Sequence, residues 1–308
     1  MKIKIWIALL ALYIVWGSTY LAIRFAVESI PPFFHAGIRF LVSGIILLAW
    51  QRAAGQSMPT RRQWRSLAIV GSLLLLGGNG LVSWAEQTIP SGIAALIIGA
   101  IPLFIVVAEA FRPGGVKPNG WTILGLAVGF IGIFILIGPG ELTGSSGLNL
   151  FGVGALLLAC LFWALGSVYS KHADLPKSSL VSTGGQMLMG SAGLFIVSVV
   201  SGELTRWDVS AATGKSMLGL VYLIFVGSLI GFVAYGWLLQ NAPISLAATY
   251  AYVNPIVAAL LGHWFADESL GPRVWTAAAI IVGSVIFINK SRPDGQAGAK
   301  KVEATVGE

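Results

Sequence analysis

A few residues that could do chemistry stand inside stretches of sequence that are otherwise almost wholly apolar. Arg39 lies six residues into one such stretch, about 9 Å of helical rise from its start. A guanidinium at that depth in a bilayer is costly unless it faces a bundle interior, a partner or water. It can anchor a substrate carboxylate, pair with Glu28 or Glu86, or extend to the outer surface. Tyr250 and Asn254 are four apart and would present a phenol and an amide on one helical face. Pro255 follows Asn254; it has no N–H and leaves the carbonyl of Ala251 without its helical donor. Pro102 does the same to Ile98 in an earlier stretch. In hydrocarbon such a carbonyl must face protein or a wet cavity, so two broken helices at matched positions point to a transport site or to a packing kink. Asn79, within Gly77-Gly78-Asn79-Gly80, either bonds a neighbouring helix or reaches a cavity. Trp16 and Trp163 lie too deep for the interfacial belt that suits Trp84 and Trp237. As cavity walls their faces would favour amphipathic or cationic solutes. Glu109, near the end of its stretch, is the carboxylate best placed for proton coupling; no Asp or Glu stands at a midplane.

The elements that must position these residues follow from composition. The chain has 308 residues, of which 56% are hydrophobic and 10% charged. A soluble domain carries about 25% charged residues, so soluble enzymes, nucleic-acid binders and secreted modules are excluded. Runs of about 20 apolar residues, the length of a membrane span, occur ten times: 6–25, 33–51, 66–85, 91–111, 120–138, 150–170, 180–201, 216–239, 244–265 and 273–290. The first follows Lys2 and Lys4 like a signal peptide, but no small-residue cleavage site follows it, and it reads as a retained span. With the N-terminus inside, 14 of the 19 Lys and Arg fall on the inner side, and Arg24, Arg39, Arg206, Lys215 and Arg273 fall outside or near outer ends. That bias, which also accounts for the net charge of +7, places both termini in the cytoplasm. The polar tail 291–308 is expected to be disordered. A single cysteine, Cys160, allows no intrachain disulfide and reads as a packed small side chain. Three scattered histidines and no HExxH, Walker A or complete GxGxxG leave no metal, cofactor or catalytic constellation.

The chain also repeats itself. Trp84, Gln87, Pro90 and Ala94-Ala95 coincide with Trp237, Gln240, Pro243 and Ala247-Ala248 at an offset of 153, which also puts Gly78 on Gly231 and Pro102 on Pro255. Gly17-Ser18-Thr19-Tyr20 meets Gly166-Ser167-Val168-Tyr169 at an offset of 149. Five spans per copy is an odd number, so the second copy must cross in the opposite sense. Inverted repeats of this kind build transporters, with the substrate near the midplane where the halves meet. The expected architecture is all-α and membrane-integral: ten transmembrane helices as two inverted five-helix repeats, 1–145 and 146–290, around a central cavity.

These residues carry a resemblance to the drug/metabolite transporter superfamily, EamA-type branch. It rests on Trp16-Gly17-Ser18-Thr19, Arg39-Phe40, Pro90…Ala94-Ala95…Pro102, Trp163…Gly166-Ser167 and Pro243…Asn254-Pro255. It covers about residues 5–290 and is specific as a set. The resemblance implies two five-helix repeats around a cavity and, as the commonest role, export of small metabolites. An acidic residue that the family places after the ninth span has a match in Glu268, whereas the first copy has Pro113-Gly114 there.

The expected function is therefore that of a secondary transporter of the bacterial inner membrane, moving small amphipathic metabolites, amino acids foremost, by alternating access. Trp16, Thr19, Arg39, Asn79, Pro102, Trp163, Tyr250, Asn254 and Pro255 are the substrate-binding candidates. A multidrug efflux carrier is the alternative; a channel or a lipid-modifying membrane enzyme is disfavoured. The partners expected are a small-molecule substrate and membrane lipid, with no nucleic acid. The chain is expected to be a monomer or a homodimer, since Gly125…Gly129 and Ala279…Gly283 have small-residue spacing suited to close helix packing. Cysteines added at the two ends should react with an impermeant thiol reagent from the same side of the membrane; labelling from opposite sides refutes the even span count.

Overall fold

A computed structural model describes residues 2–115, 117–137, 149–241, 250–268 and 271–291, and every structural statement below concerns these. The expected disordered tail, apart from Ser291, and the Pro243…Ala247-Ala248 part of the repeat lie outside them. The described residues form helices α1 (Lys2–Val27), α2 (Pro32–Ala53), α3 (Arg61–Ala85), α4 (Ser91–Phe111), α5 (Gly120–Ile137), α6 (Leu150–Ser170), α7 (Ser179–Val200), α8 (214–241), α9 (Tyr250–Ala266) and α10 (Pro272–Ser291), with no strand among them. Seven, α1–α4 and α6–α8, contain stretches long and apolar enough to cross a membrane; α5, α9 and α10 contain shorter apolar ones. Exposed Ile7, Leu10, Ile14, Phe130, Phe134 and Ile196 cover the outer surface, as lipid-facing helices require.

Local sequence sets the helix limits. Pro32 sits in the first turn of α2, where a missing N–H costs nothing. Thr60 and Gln63 form a capping box at the start of α3: Gln63 N donates to Thr60 Oγ1 (3.3 Å), and Thr60 N to Gln63 Oε1 (3.0 Å). Asn149, Ser178 and Thr213 cap α6, α7 and α8 with their side-chain oxygens. Hydropathy places the third span at 66–85, yet the helix begins at Arg61. The added turn, Arg61-Arg62-Gln63-Trp64-Arg65, is too polar for a span but helical once capped. The fourth span is not one helix either. It breaks at Gly99–Ala100 between Ser91–Ile98 and Ile101–Phe111, just before Pro102.

Helix α2 runs along α7, and α5 along α10; α1 packs on α8 and α9, while α6 packs on α3 and α4. Close approach depends on small residues: a Cβ on Gly44 would stand 3.0 Å from the Gly184 carbonyl. The Gly125…Gly129 pair is used within the chain, against Ile288 and Phe287 and against Leu103 and Ser284. Cys160 is buried, and its thiol donates to the Ile97 carbonyl beside the break in α4 (3.4 Å).

Two carboxylates tie helices together at one end of the bundle. Glu203, just beyond α7, accepts from the N–H groups of Phe33 (3.2 Å) and Phe34 (3.0 Å) at the start of α2. Glu268, just beyond α9, accepts from Ser91 N (2.7 Å) and Gly92 N (2.9 Å) at the start of α4. Each supplies acceptors to orphan first-turn donors and sets negative charge at a positive helix end. At the same end Arg24 Nη1 donates to the carbonyls of Glu86 (2.6 Å) and Gln87 (3.0 Å), just beyond α3, and Lys215 pairs with Glu28 (2.7 Å). Glu268→Ala should strand two buried N–H groups at a cost of about 1–3 kcal/mol each, read as a lower unfolding midpoint in detergent. Glu268→Gln, which keeps a carbonyl acceptor, should fall between; a midpoint for Glu268→Ala equal to wild type would show that the cap contributes nothing.

Candidate functional site

The break in α4 touches α9 at its internal proline, although α9 itself runs unbroken from Tyr250 to Ala266, contrary to the expectation of two broken helices. A Cβ on Gly99 would lie 3.0 Å from Pro255 Cγ and 3.2 Å from the Ala251 carbonyl oxygen. That carbonyl is the one Pro255 deprives of a donor, and it faces protein at this crossing. Glycine at 99 is what lets the two backbones approach. Beside the crossing lies a cavity of about 60 Å³. One water needs about 10–15 Å³, so several fit.

Helices α3 and α8 widen at matching places. Ser72–Gly80 and Leu223–Ile230 are π-helical, a rare form that is frequent at functional sites. In the first stretch Asn79 Nδ2 donates to the Leu74 carbonyl five residues back (3.4 Å), and Gly78 leaves room for the Trp163 ring. In the second, the Gly227 carbonyl accepts from Trp16 Nε1 (3.3 Å) and Ser228 Oγ accepts from Arg39 Nε (2.8 Å). Gly231 provides the seat for the Trp16 indole.

Seven of the nine sequence-predicted binding residues line this one cavity: Trp16, Thr19, Arg39, Asn79, Trp163, Tyr250 and Asn254. The two prolines do not. Pro102 lies in the first turn of the second half of α4. Pro255 packs on Gly99 and borders a separate apolar pocket of about 20 Å³ with Leu96 and Val274. Their effect on the cavity passes through backbone shape, and Ile98 and Ile101, flanking the break, do line it. Asn254 points its amide nitrogen at the carbonyls of Tyr13 and Tyr250 (3.2 Å each) when its terminal O and N are assigned to suit them. Glu109 is remote from the cavity, at the far end of α4, ion-paired with Arg112 (2.7 Å).

The Trp16 ring is at the centre of an aromatic cluster. Centroid distances are 5.0 Å to Tyr250, 5.1 Å to Tyr235, 5.2 Å to Phe232 and 6.4 Å to Trp163, in edge-on or tilted geometry. Phe232 and Tyr20 also line the cavity and were not singled out from sequence. Signals for both existed: Tyr20 is one turn from Trp16, and Phe232 is the repeat partner of Asn79 at the offset of 153.

Arg39 is 2% exposed and stands 4.7 Å from the Phe40 ring centroid. It has no carboxylate within ion-pair distance among the described residues. The two pairings conceivable from sequence are not formed: Glu28 is held by Lys215, and both oxygens of the fully buried Glu86 carboxyl lack a hydrogen-bond partner. The cavity thus offers one uncompensated cation, amides, hydroxyls and aromatic walls. Such a set has the chemistry to bind and orient a solute. No group of three His, Cys, Asp or Glu suited to a metal occurs among the described residues.

Comparison with known proteins agrees with a transport role. The profile of the EamA-like transporter family matches residues 3–138 and 150–290. The chain is 40% identical over 283 residues to the uncharacterized inner membrane transporter YedA of Escherichia coli (strain K12), covering 91% of this chain and 89% of that one. It is 23% identical to the uncharacterized transporter YoaV of Bacillus subtilis, covering 93% and 97%. A solved crystal structure shares the fold with a TM-score of 0.64 and 22% identity, covering 91% of this chain and 94% of that one.

Gly231→Ala tests the geometry. The added methyl would occupy the place of the Trp16 indole nitrogen, so the ring must swing and release the Gly227 carbonyl. The expected outcome is a shifted Trp fluorescence spectrum in a folded protein; an unchanged spectrum would show that the ring is not seated there.

Proposed function

The chain belongs to the EamA-like transporter family, and from this we propose that it is a secondary carrier exporting small carboxylate-bearing amphipathic metabolites, amino acids foremost, across a bacterial inner membrane by alternating access. The observation that carries the substrate class is Arg39: a buried cation with no protein carboxylate within pairing distance, beside aromatic walls. A solute carboxylate would take hydrogen bonds from the guanidinium in the planar geometry that arginine offers, and its apolar side chain would pack against Trp16, Trp163 and Tyr250. At about 60 Å³ the cavity holds water rather than a whole amino acid, so loading requires the bundle to open, as rocking of one half against the other would achieve.

In the proposed architecture ten spans form two inverted repeats, 1–145 and 146–290, with both termini cytoplasmic. The packing supports it. Exchanging each helix for the one five places along maps α2·α7 and α5·α10 onto themselves, α1·α9 onto α6·α4, and α1·α8 onto α6·α3. The paired π-helical stretches and the two family-matched segments obey the same exchange. Export as the direction rests on the family resemblance. Multidrug efflux is the weaker reading, because Arg39 would repel the cationic solutes that aromatic walls otherwise attract. A lipid-modifying enzyme would need an acid–base cluster, and Glu109 is bound to Arg112.

Purified protein in liposomes should take up labelled L-phenylalanine in exchange for the unlabelled solute. Arg39→Leu should lower that affinity about ten- to a hundredfold, the worth of a lost charge-assisted hydrogen bond of about 1.5–3 kcal/mol, and Arg39→Lys should restore part of it. A folded Arg39→Leu protein that exchanges like wild type would defeat the anchoring role.

A further inference from the structure

Glu86 is the one buried carboxyl, among the described residues, with neither oxygen hydrogen-bonded. It follows Val82 by one helical turn, and Val82 lines the cavity. Arg24 spends its Nη1 on the backbone carbonyls of Glu86 and Gln87, not on the carboxyl. The charged groups that act on it are Glu268, from beyond α9, Arg24 of α1 and Arg39 of α2; Tyr20 of α1 feels its charge in turn. Other titratable groups on the elements packed there include His35, one turn before Arg39, Cys160 of α6, whose thiol is committed to Ile97, and His263 of α9, whose ring bonds the Glu268 backbone carbonyl. An ionised carboxylate enclosed without a donor is very costly, and a neutral carboxyl in the same place costs far less.

We propose that Glu86 is a proton-binding site of this carrier, and that its proton and the solute carboxylate at Arg39 bind together. When a proton bonds to a Glu86 oxygen, the negative charge that would offset Arg39 disappears, and the guanidinium is left to attract an external carboxylate. When that proton leaves to water, the Glu86 carboxylate competes for the same guanidinium and the solute is released. The coupling is reciprocal, as any equilibrium linkage must be. A metabolite moving outward down its own gradient would therefore take a proton with it. The solute half of this statement rests on the carrier function proposed above; the proton site does not.

The test is an infrared pH titration of the purified, membrane-reconstituted protein. A neutral-carboxyl stretch should be present in wild type and missing from Glu86→Gln; Glu86→Asp, which should displace the band, serves if the glutamine variant does not fold. In Arg39→Leu the band should persist to higher pH than in wild type, because the cation that favours ionisation is gone, and bound L-phenylalanine should move the wild-type titration the same way. Absence of any neutral carboxyl assignable to Glu86, or an identical titration in Arg39→Leu, overturns the proposal. L-phenylalanine that binds wild type without moving the titration overturns it too. Failure of L-phenylalanine to bind wild type at all rejects the amino-acid reading, and the Arg39→Leu comparison then decides the proton site alone.

Discussion

A lipid interior offers no hydrogen bonds, so a helix that breaks inside it must find its missing partners in the protein. Everything at the centre of this molecule depends on how the break in α4 and the carbonyl freed by the proline inside the unbroken α9 are reconciled. The Ala251 carbonyl, orphaned by Pro255, is turned onto Gly99, where α4 itself gives way. The Ile97 carbonyl beside that gap receives the Cys160 thiol. Placing the break of one helix against the proline of the other keeps unpaired backbone away from hydrocarbon. The cavity opens beside that crossing, bordered by α1, α2, α3, α4, α6, α8 and α9.

Charge is rationed in the same way. At the ends of the bundle carboxylates and guanidinium groups are occupied with helix termini and with one another, and there they cost little. Arg39 and Glu86 differ, since neither is satisfied by an opposite charge at contact distance. Buried ionisable groups inside membranes are expensive and tend to mark pathways for ions or substrates. Ser228 and the Phe40 ring steady the guanidinium without neutralising it, which holds it in position while leaving its charge available.

Much of this was legible in the sequence because the relevant signals are local or periodic. Apolar runs gave the helices, and Pro102 marked the break in α4, whereas the expected break at Pro255 is absent: α9 runs unbroken from Tyr250 to Ala266. Trp16, Arg39, Asn79, Trp163, Tyr250 and Asn254 stood out as misfits in apolar surroundings, and they border one cavity. What escaped depends on contacts made far along the chain. No local pattern announces that Glu268 reaches back to cap α4, or that Glu203 does so for α2. The π-helical stretches have no sequence code of their own, since Ser72–Gly80 and Leu223–Ile230 read as ordinary apolar helix. Tyr235 and Phe232 looked like generic membrane aromatics until Gly231 was seen to draw Trp16 against them. The sequence offers Glu86 as a possible partner for Arg39, and only the folded contacts leave its carboxyl without a hydrogen bond.

The two carboxylate caps bear on how such a molecule would spend its idle time. A rocker made of two identical, oppositely facing halves would rest equally well open to either side. Glu203 and Glu268 each lash the start of one helix to the loop that follows its counterpart five places along, and both do so at the same end. The opposite end has an exposed Arg62–Asp174 pair and the bond between Ser178 and Gln51. In the rocking proposed above, parting the lashed end would mean breaking four carboxylate hydrogen bonds, so a carrier built this way would carry its own latch, made by two glutamates far along the chain from the helices they hold.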